Sequence, residues 1–314
     1  MYKIIFFGTG DFAVPSLTAL VKDTRFNVTA VVTQPDRPFG RHATVTPPPV
    51  KVAATAIGIT DVHQPEKLKD SSFQEWTKNV GPSCDAFVVV SYGKILPQWL
   101  LDLPKKGVMN VHGSLLPRWR GPSPIQTAIA AGDAKTGVTI MKLDAEMDHG
   151  PMLATSETVI RFDDTAQSLH DRLAGLGSTL LTETLAGYLA DRLHPVEQDH
   201  AQATACKILT RDDGKIDWTH PANEIERQVR AYNPWPGCWT LNGGKRLKIH
   251  KSAVIDGDAA FKPGQCFVFE KLPAVACGDG TALLLLLVQP EGRAVMDGYA
   301  YLAGISGWEN LSLS

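Results

Sequence analysis

Tyr2-Lys3-Ile4-Ile5-Phe6-Phe7-Gly8-Thr9-Gly10-Asp11-Phe12-Ala13-Val14-Pro15 is the stretch whose reading decides the fold class. The apolar run is too short for the core of a signal peptide and leads into glycines, so Tyr2–Phe7 reads as a first buried strand. Val14–Lys22 predicts a helix, with Pro15 in its first turn, where a missing N–H costs little. Strand, glycine turn and helix open an α/β fold. The pattern continues outward with strands at Asn27–Thr33, Ala86–Val90 and Gly107–His112. Helices are expected at Val50–Ile57 and Pro124–Ala131. Such alternation predicts a mainly parallel sheet covered on both faces.

Two β-rich segments follow, Gly137–Lys142 and Pro151–Ile160. Beyond them, Leu169, Leu173, Leu176, Leu180 and Leu181 repeat at helical spacing, which predicts a long helix from Thr165 to about Leu189. Asp163, Asp164 and Thr165 are its candidate N-caps. Residues 191–206 are polar with no clear period and read as a linker. From 207 onward, short apolar runs such as Arg246–Ile249, Gly264–Phe269 and Ala282–Val288 alternate with turn residues. That spacing predicts a small β-barrel or sandwich. The expected organisation is a catalytic domain over 1–190, a linker over 191–206 and a second domain over 207–314.

The chain has 314 residues, 44% of them hydrophobic and 20% charged, enough for two domains with ordinary cores. A formal net charge of −2 leaves no global attraction for nucleic acid, so a basic site must be local. Cys84, Cys206, Cys238, Cys266 and Cys277 form no C-x-x-C pair and are odd in number. They suit a reducing compartment rather than a disulfide framework. The histidines show no metal-ligand spacing, so no metal is expected. Ala282–Val288 falls far short of the ~20 apolar residues a membrane helix needs. A cytoplasmic protein with no membrane association is expected.

Gly8-Thr9-Gly10-Asp11-Phe12-Ala13 fits the G-x-G-x-x-A turn of dinucleotide-binding folds. A nicotinamide site also wants an acid at the end of the second strand. Here that strand runs into Thr33-Gln34-Pro35, and Asp36 lies beyond the proline. The turn therefore reads better as the lining of a cleft at the carboxyl ends of the strands.

Asn110-Val111-His112 closes a strand, and alternation places Asn110 and His112 on one face and Val111 on the other. An amide can donate to a developing oxyanion, an effect worth ~10²–10³ in rate. An imidazole can move a proton near neutral pH, worth ~10²–10⁴. Asp148, in Glu146-Met147-Asp148-His149-Gly150, is the candidate carboxylate partner of that imidazole. From spacing alone it reads more readily as a turn residue before Gly150. The stretch Gly113–Pro124 holds three prolines and two glycines together with two arginines and a tryptophan, a stiff wall for a binding site.

Asn110-Val111-His112-Gly113-Ser114-Leu115-Leu116-Pro117, followed by Arg118-Trp119-Arg120-Gly121, resembles the signature of enzymes that transfer a formyl group from 10-formyltetrahydrofolate. Gly137-Val138-Thr139-Ile140-Met141 and the segment from Asp144 to Gly150 resemble their second signature. Within that superfamily the methionyl-tRNA formyltransferase family is favoured by five further stretches. These are Gln34-Pro35-Asp36-Arg37-Pro38 with Gly40-Arg41, Pro122-Ser123-Pro124-Ile125-Gln126, Lys215-Ile216-Asp217-Trp218, Asn233-Pro234-Trp235-Pro236 and Gln289-Pro290-Glu291-Gly292.

The resemblance implies a Rossmann-like catalytic domain and an oligonucleotide-binding type of barrel. It implies Asn110, His112 and Asp148 as the catalytic trio and Ser114, Leu115, Leu116 and Pro117 as folate contacts. The donor would be 10-formyltetrahydrofolate and the acceptor the α-amino group of methionine on initiator tRNA, with a monomer expected. Phe12 is a candidate for the methionine side-chain pocket. The loop 34–49 resembles the family insertion near the acceptor end, with Arg37 and Arg41 as tRNA contacts, although His42 and Ala43 stand where relatives often carry lysines. Lys245, Arg246, Lys248 and Lys251 form a short basic cluster, the first three of them the expected tRNA contacts, that reads either as a phosphate-binding patch or as a solvated strand edge. Two other readings compete: a formyltransferase for small amines such as amino sugars, and a nucleic-acid-binding module on an inactive scaffold.

Overall fold

The computed structural model describes residues 1–39, 43–258 and 260–314. It divides into two compact units. One comprises Met1–Gly121, Thr136–Thr158 and His170–Cys206; the other comprises Pro122–Lys135, Val159–Leu169 and Lys207–Ser314. In chain order the elements are β1 (Tyr2–Gly8), α1 (Val14–Lys22), β2 (Phe26–Val32), β3 (Arg37–Phe39), β4 (Thr44–Thr46), α2 (Pro49–Ala56), β5 (Val62–His63), α3 (Ser71–Val80), β6 (Ala86–Val90), α4 (Gln98–Leu101) and β7 (Val108–His112). Then come α5 (Pro124–Ala131), β8 (Lys135–Lys142), β9 (Met152–Val159), α6 (Ala166–Leu189), α7 (Ala222–Ala231), β10 (Cys238–Asn242), β11 (Lys245–Asp256), β12 (Cys266–Phe269), β13 (Leu272–Ala276), β14 (Thr281–Pro290), β15 (Met296–Asp297) and α8 (Gly298–Ala303).

The first unit is Rossmann-like. Its seven-stranded sheet has the order β5-β2-β1-β6-β7-β8-β9. Pairing is parallel from β5 through β7 and turns antiparallel between β7 and β8. The chain winds one way from β1 to β5 and the other way from β6 to β7, so β1 and β6 flank a topological switch point. Apolar runs in β1 and β6 bury completely because helices cover both faces: Ile4, Ile5, Phe6, Phe7, Phe87 and Val88 are all 0% exposed. Each such side chain contributes roughly 1.5–3 kcal/mol relative to exposure.

The alternation in β7 has a visible cause. Val111 faces α6, where a Cβ on Gly177 would stand 2.9 Å from Val111 Cγ1. Asn110 and His112 therefore emerge on the opposite face. The start of α6 is held by reciprocal bonds, Ser168 N–H to Thr165 Oγ1 at 3.3 Å and Thr165 N–H to Ser168 Oγ at 3.0 Å. Thr165, of the three cap candidates, is thus the N-cap.

The second unit holds an antiparallel sheet of order β10-β11-β14-β13-β12, with β15 also on β14. Residues 311–314 join its two outer strands. Leu241 N–H donates to Ser314 O at 2.8 Å on the β10 side, and Cys266 N–H donates to Leu311 O at 3.0 Å on the β12 side. That closure makes a small barrel around Ile216, Trp218, Leu247, Ile249, Leu283, Leu285 and Trp308. The sequence expectation of short strands alone after residue 207 is incomplete. α7 buries Ala222, Ile225 and Val229 at helical spacing, and its Arg227 Nε donates to Ala130 O of α5 at 3.2 Å. No helix among the described residues is long and apolar enough to cross a membrane.

Candidate active site

Asn110 and His112 leave the carboxyl end of β7 on one face and meet Asp148 there. Asp148 Oδ2 lies 3.5 Å from His112 Nδ1, and Asp148 Oδ1 accepts from Asn110 Nδ2 at 3.5 Å. Both separations are at the outer limit of a hydrogen bond, as expected of a resting site that tightens around substrate. The shortest contact to the carboxylate is the Gly121 N–H, which donates to Oδ2 at 2.8 Å. The His112 and Asp148 side chains are only 6% and 13% exposed, so the pair is poorly screened.

Two features missed in the sequence reading aim the pair. His112 Nε2 lies 3.0 Å from the carbonyl oxygen of Trp119, a residue at φ 61°. A carbonyl only accepts, so Nε2 carries the proton and Nδ1 of the neutral ring presents its lone pair on the Asp148 side. Asp148 itself sits at φ 50°, where non-glycine residues are uncommon. Its turn is fixed by Gly150, where a Cβ would stand 2.0 Å from Lys142 O. His149 is engaged elsewhere, with Nδ1 2.7 Å from Asp144 Oδ2.

The loop after His112 is braced from within. Ser114 is buried, and its hydroxyl donates to Arg118 O at 2.6 Å. Thr139 Oγ1 donates to Ser114 O at 2.7 Å and accepts from Leu116 N–H at 3.1 Å. Leu116–Pro117 is a cis peptide. Leu116 is buried, whereas Leu115 and Pro117 remain half-buried. Of the four expected folate residues, Ser114 thus spends its hydroxyl inside the loop. Thr139 could have been singled out, since it stands in the second signature.

The remaining described candidates sit on other elements of the chain. Phe12 is buried in the turn after β1, its ring edge-on to His170 at 5.3 Å. Arg37 lies on the β3–β4 hairpin and pairs with Glu66 at 2.6 Å. Arg41 lies outside the described residues. On β11, Arg246 stacks 4.0 Å from the Trp239 ring, and Lys248 stands directly across from Trp239. Strand alternation puts Lys245 on the other face, so the three expected contacts of this strand are a pair plus one.

Asp36 accepts from Lys51 Nζ at 2.8 Å and from Gln64 Nε2 at 2.7 Å. Hydrogen bonds from Gln64 and then Lys51 keep this carboxyl below its ordinary range. Among the described residues there is no cluster of metal-ligating side chains.

Comparison with known proteins adds to this geometry. The family model described as formyl transferase matches residues 2–185, and the one described as formyl transferase, C-terminal domain, matches residues 208–306. A protein named methionyl-tRNA formyltransferase from Myxococcus xanthus is 47% identical over 305 residues, covering 96% of this chain and 95% of its own. Its namesake from Chloroflexus aggregans is 46% identical over 305 residues, covering 96% and 97%. The fold is also that of the Helicobacter canadensis N-formyltransferase solved with folinic acid and dTDP-3-aminofucose. There the TM-score is 0.68 at 18% identity, over 92% of this chain and all of that one.

Proposed function

The chain belongs to the formyl transferase family, among the methionyl-tRNA formyltransferases, and on that premise we propose that it moves the formyl group of 10-formyltetrahydrofolate to the α-amino group of methionyl initiator tRNA. The observation that carries the reading is the meeting of Asn110, His112 and Asp148 at the carboxyl end of β7. The product, N-formylmethionyl-tRNA, serves translation initiation in the cytoplasm.

Each residue of the trio has one task. Asn110 Nδ2, held only loosely by Asp148 at 3.5 Å, turns to the formyl oxygen as it becomes negative. His112 takes a proton from the attacking amine at Nδ1, directly or through water, and returns it to the leaving N10. Trp119 O retains the Nε2 proton throughout, which fixes the tautomer. Asp148 stands beside Nδ1 and stabilises the ring while it is charged. The braced loop 114–117 offers the half-buried Leu115 and Pro117 as apolar support for the folate. Phe12 belongs to the methionine pocket. Arg37, Arg41, Lys245, Arg246 and Lys248 are the proposed tRNA contacts, with Arg246, Lys248 and Trp239 forming one cationic and aromatic face.

The test is a formylation assay with 10-formyltetrahydrofolate and methionyl initiator tRNA, run beside free methionine, an elongator charge and an amino sugar nucleotide. Turnover confined to the initiator charge is expected. Equal or greater turnover on the free amines would overturn the tRNA reading.

A further inference from the structure

Residues 194–206, without period in the sequence, lie along both catalytic loops instead of spanning open space. Met152 and Val196 exchange backbone bonds at 2.8 Å in each direction. Arg120 N–H donates to Thr204 O, and Cys206 N–H to Arg120 O, each at 2.8 Å. Two side chains of this strap reach the trio's supports. Gln198, 4% exposed, donates from Nε2 to Asp148 O at 2.9 Å and to Gly150 O at 2.7 Å. Its Oε1 accepts from Arg120 Nε at 3.1 Å and Nη2 at 2.7 Å. Thr204 Oγ1 accepts the Trp119 N–H at 2.9 Å, and the Trp119 carbonyl in turn takes His112 Nε2.

These bonds fall on two residues in the left-handed region, Asp148 and Trp119. A non-glycine residue persists there only when its surroundings over-determine it. Gln198 uses both amide hydrogens on the Asp148 turn and its oxygen on the Arg120 loop, so one carboxamide sets the spacing of the two loops. Thr204 holds Trp119 from both sides: its hydroxyl takes the Trp119 N–H, and its backbone O takes the Arg120 N–H of the peptide whose carbonyl orients the imidazole.

We propose that Gln198 and Thr204 are positioning residues of formyl transfer, acting through Asp148 and His112 respectively. The inference rests on the formyl-transfer reading above. Its substance is that the strap sets kcat, not substrate affinity or only stability.

The experiment compares the full chain with Gln198→Leu, Gln198→Glu, Thr204→Val and Thr204→Ser by kcat, by KM for methionyl-tRNA and for the formyl donor, and by Tm. A displacement of ~1 Å in a catalytic group costs about 10²-fold, so Gln198→Leu and Thr204→Val are expected to lower kcat about 10²-fold and move either KM less than about 3-fold. Thr204→Ser, which keeps the acceptor, restores kcat. Gln198→Glu keeps the Arg120 contact but turns carboxylate oxygens toward two carbonyls, and is expected to be as slow as Gln198→Leu. Wild-type kcat in folded Gln198→Leu and Thr204→Val would overturn the proposal, as would full activity in Gln198→Glu, which would reduce Gln198 to an anchor for Arg120. Should Gln198→Leu fail to fold, the Thr204 pair decides. A wild-type chain inactive on methionyl-tRNA would instead refute the reading beneath it.

Discussion

Asp148→Asn is the substitution that best separates a catalytic carboxylate from a turn residue. The amide oxygen can keep the Oδ2 place and still accept the Gly121 N–H, so the turn survives. What disappears is a charge 3.5 Å from His112 Nδ1. At an effective dielectric of ~20, a carboxylate and an imidazolium at that separation attract by about 5 kcal/mol. Desolvation of the buried pair offsets part of this, leaving on the order of 2–3 kcal/mol. Each ~1.4 kcal/mol is tenfold in rate, so kcat should fall about 10²-fold. The assay is turnover with both substrates saturating, together with Tm. The same carboxylate predicts non-additivity: adding Asp148→Asn to His112→Ala should cost little more than His112→Ala alone, because the two act as a unit. A folded Asp148→Asn enzyme within about 3-fold of wild-type kcat would refute the electrostatic argument and return Asp148 to a structural role.

Gly150→Ala should lower kcat about 10²-fold, since its Cβ would stand 2.0 Å from Lys142 O and the Asp148 turn must shift by ~1 Å; a crystal structure showing an unmoved Asp148 would contradict this. Arg246→Glu and Lys248→Glu should weaken tRNA binding and reduce its salt slope by about 1 each, whereas Lys245→Glu, on the opposite face, should change the slope less; equal effects in a salt titration would argue against a single binding face. Bonds from the Lys207 ammonium, the Thr210 hydroxyl and the Thr210 N–H lower the Asp213 carboxyl from 3.8 to about 2. The folded value is the lower one, so this contribution to stability is complete above pH 3.8 and is lost as pH falls towards 2. Asp213→Asn should therefore flatten the acid limb of a denaturation profile over that window, and an unchanged limb would count against the assignment.

Where one face of an element is buried, the sequence is readable. The β1 and β6 runs are legible because both faces are buried and the apolar stretch is unbroken, and α1, α5 and the leucines of α6 because their period matches a helix that buries one side. The pairing of Asn110 with His112 follows from period two on β7, with Val111 turned to Gly177 on the other side. α7 escaped because its four buried residues are spread among charged neighbours and bounded by prolines. The barrel is expected, but from the residues alone a sandwich stays open, because closure depends on a few backbone bonds from residues 311–314 to Leu241, Gly264 and Cys266, which leave no mark on side-chain choice.

The site divides along the same physical line. Asn110 and His112 bear functional groups on a regular element, so alternation finds them. Asp148 lies in an irregular turn; it is the candidate partner of the imidazole, but from its own surroundings it reads more readily as a turn residue, and the resemblance shifts that weight. The orienting acceptor of His112 is a backbone carbonyl, invisible in sequence because every residue has one. Gln198 and Thr204 do carry side-chain information, but they spend it on backbone atoms 48 to 85 residues away. A polar side chain that satisfies a distant backbone requires no periodic neighbour, so the segment containing it reads as a linker. That is why residues 191–206 looked empty of structure while holding both halves of the site, and why a polar, unpatterned stretch between two domains is a place to look for the supports of a catalytic residue.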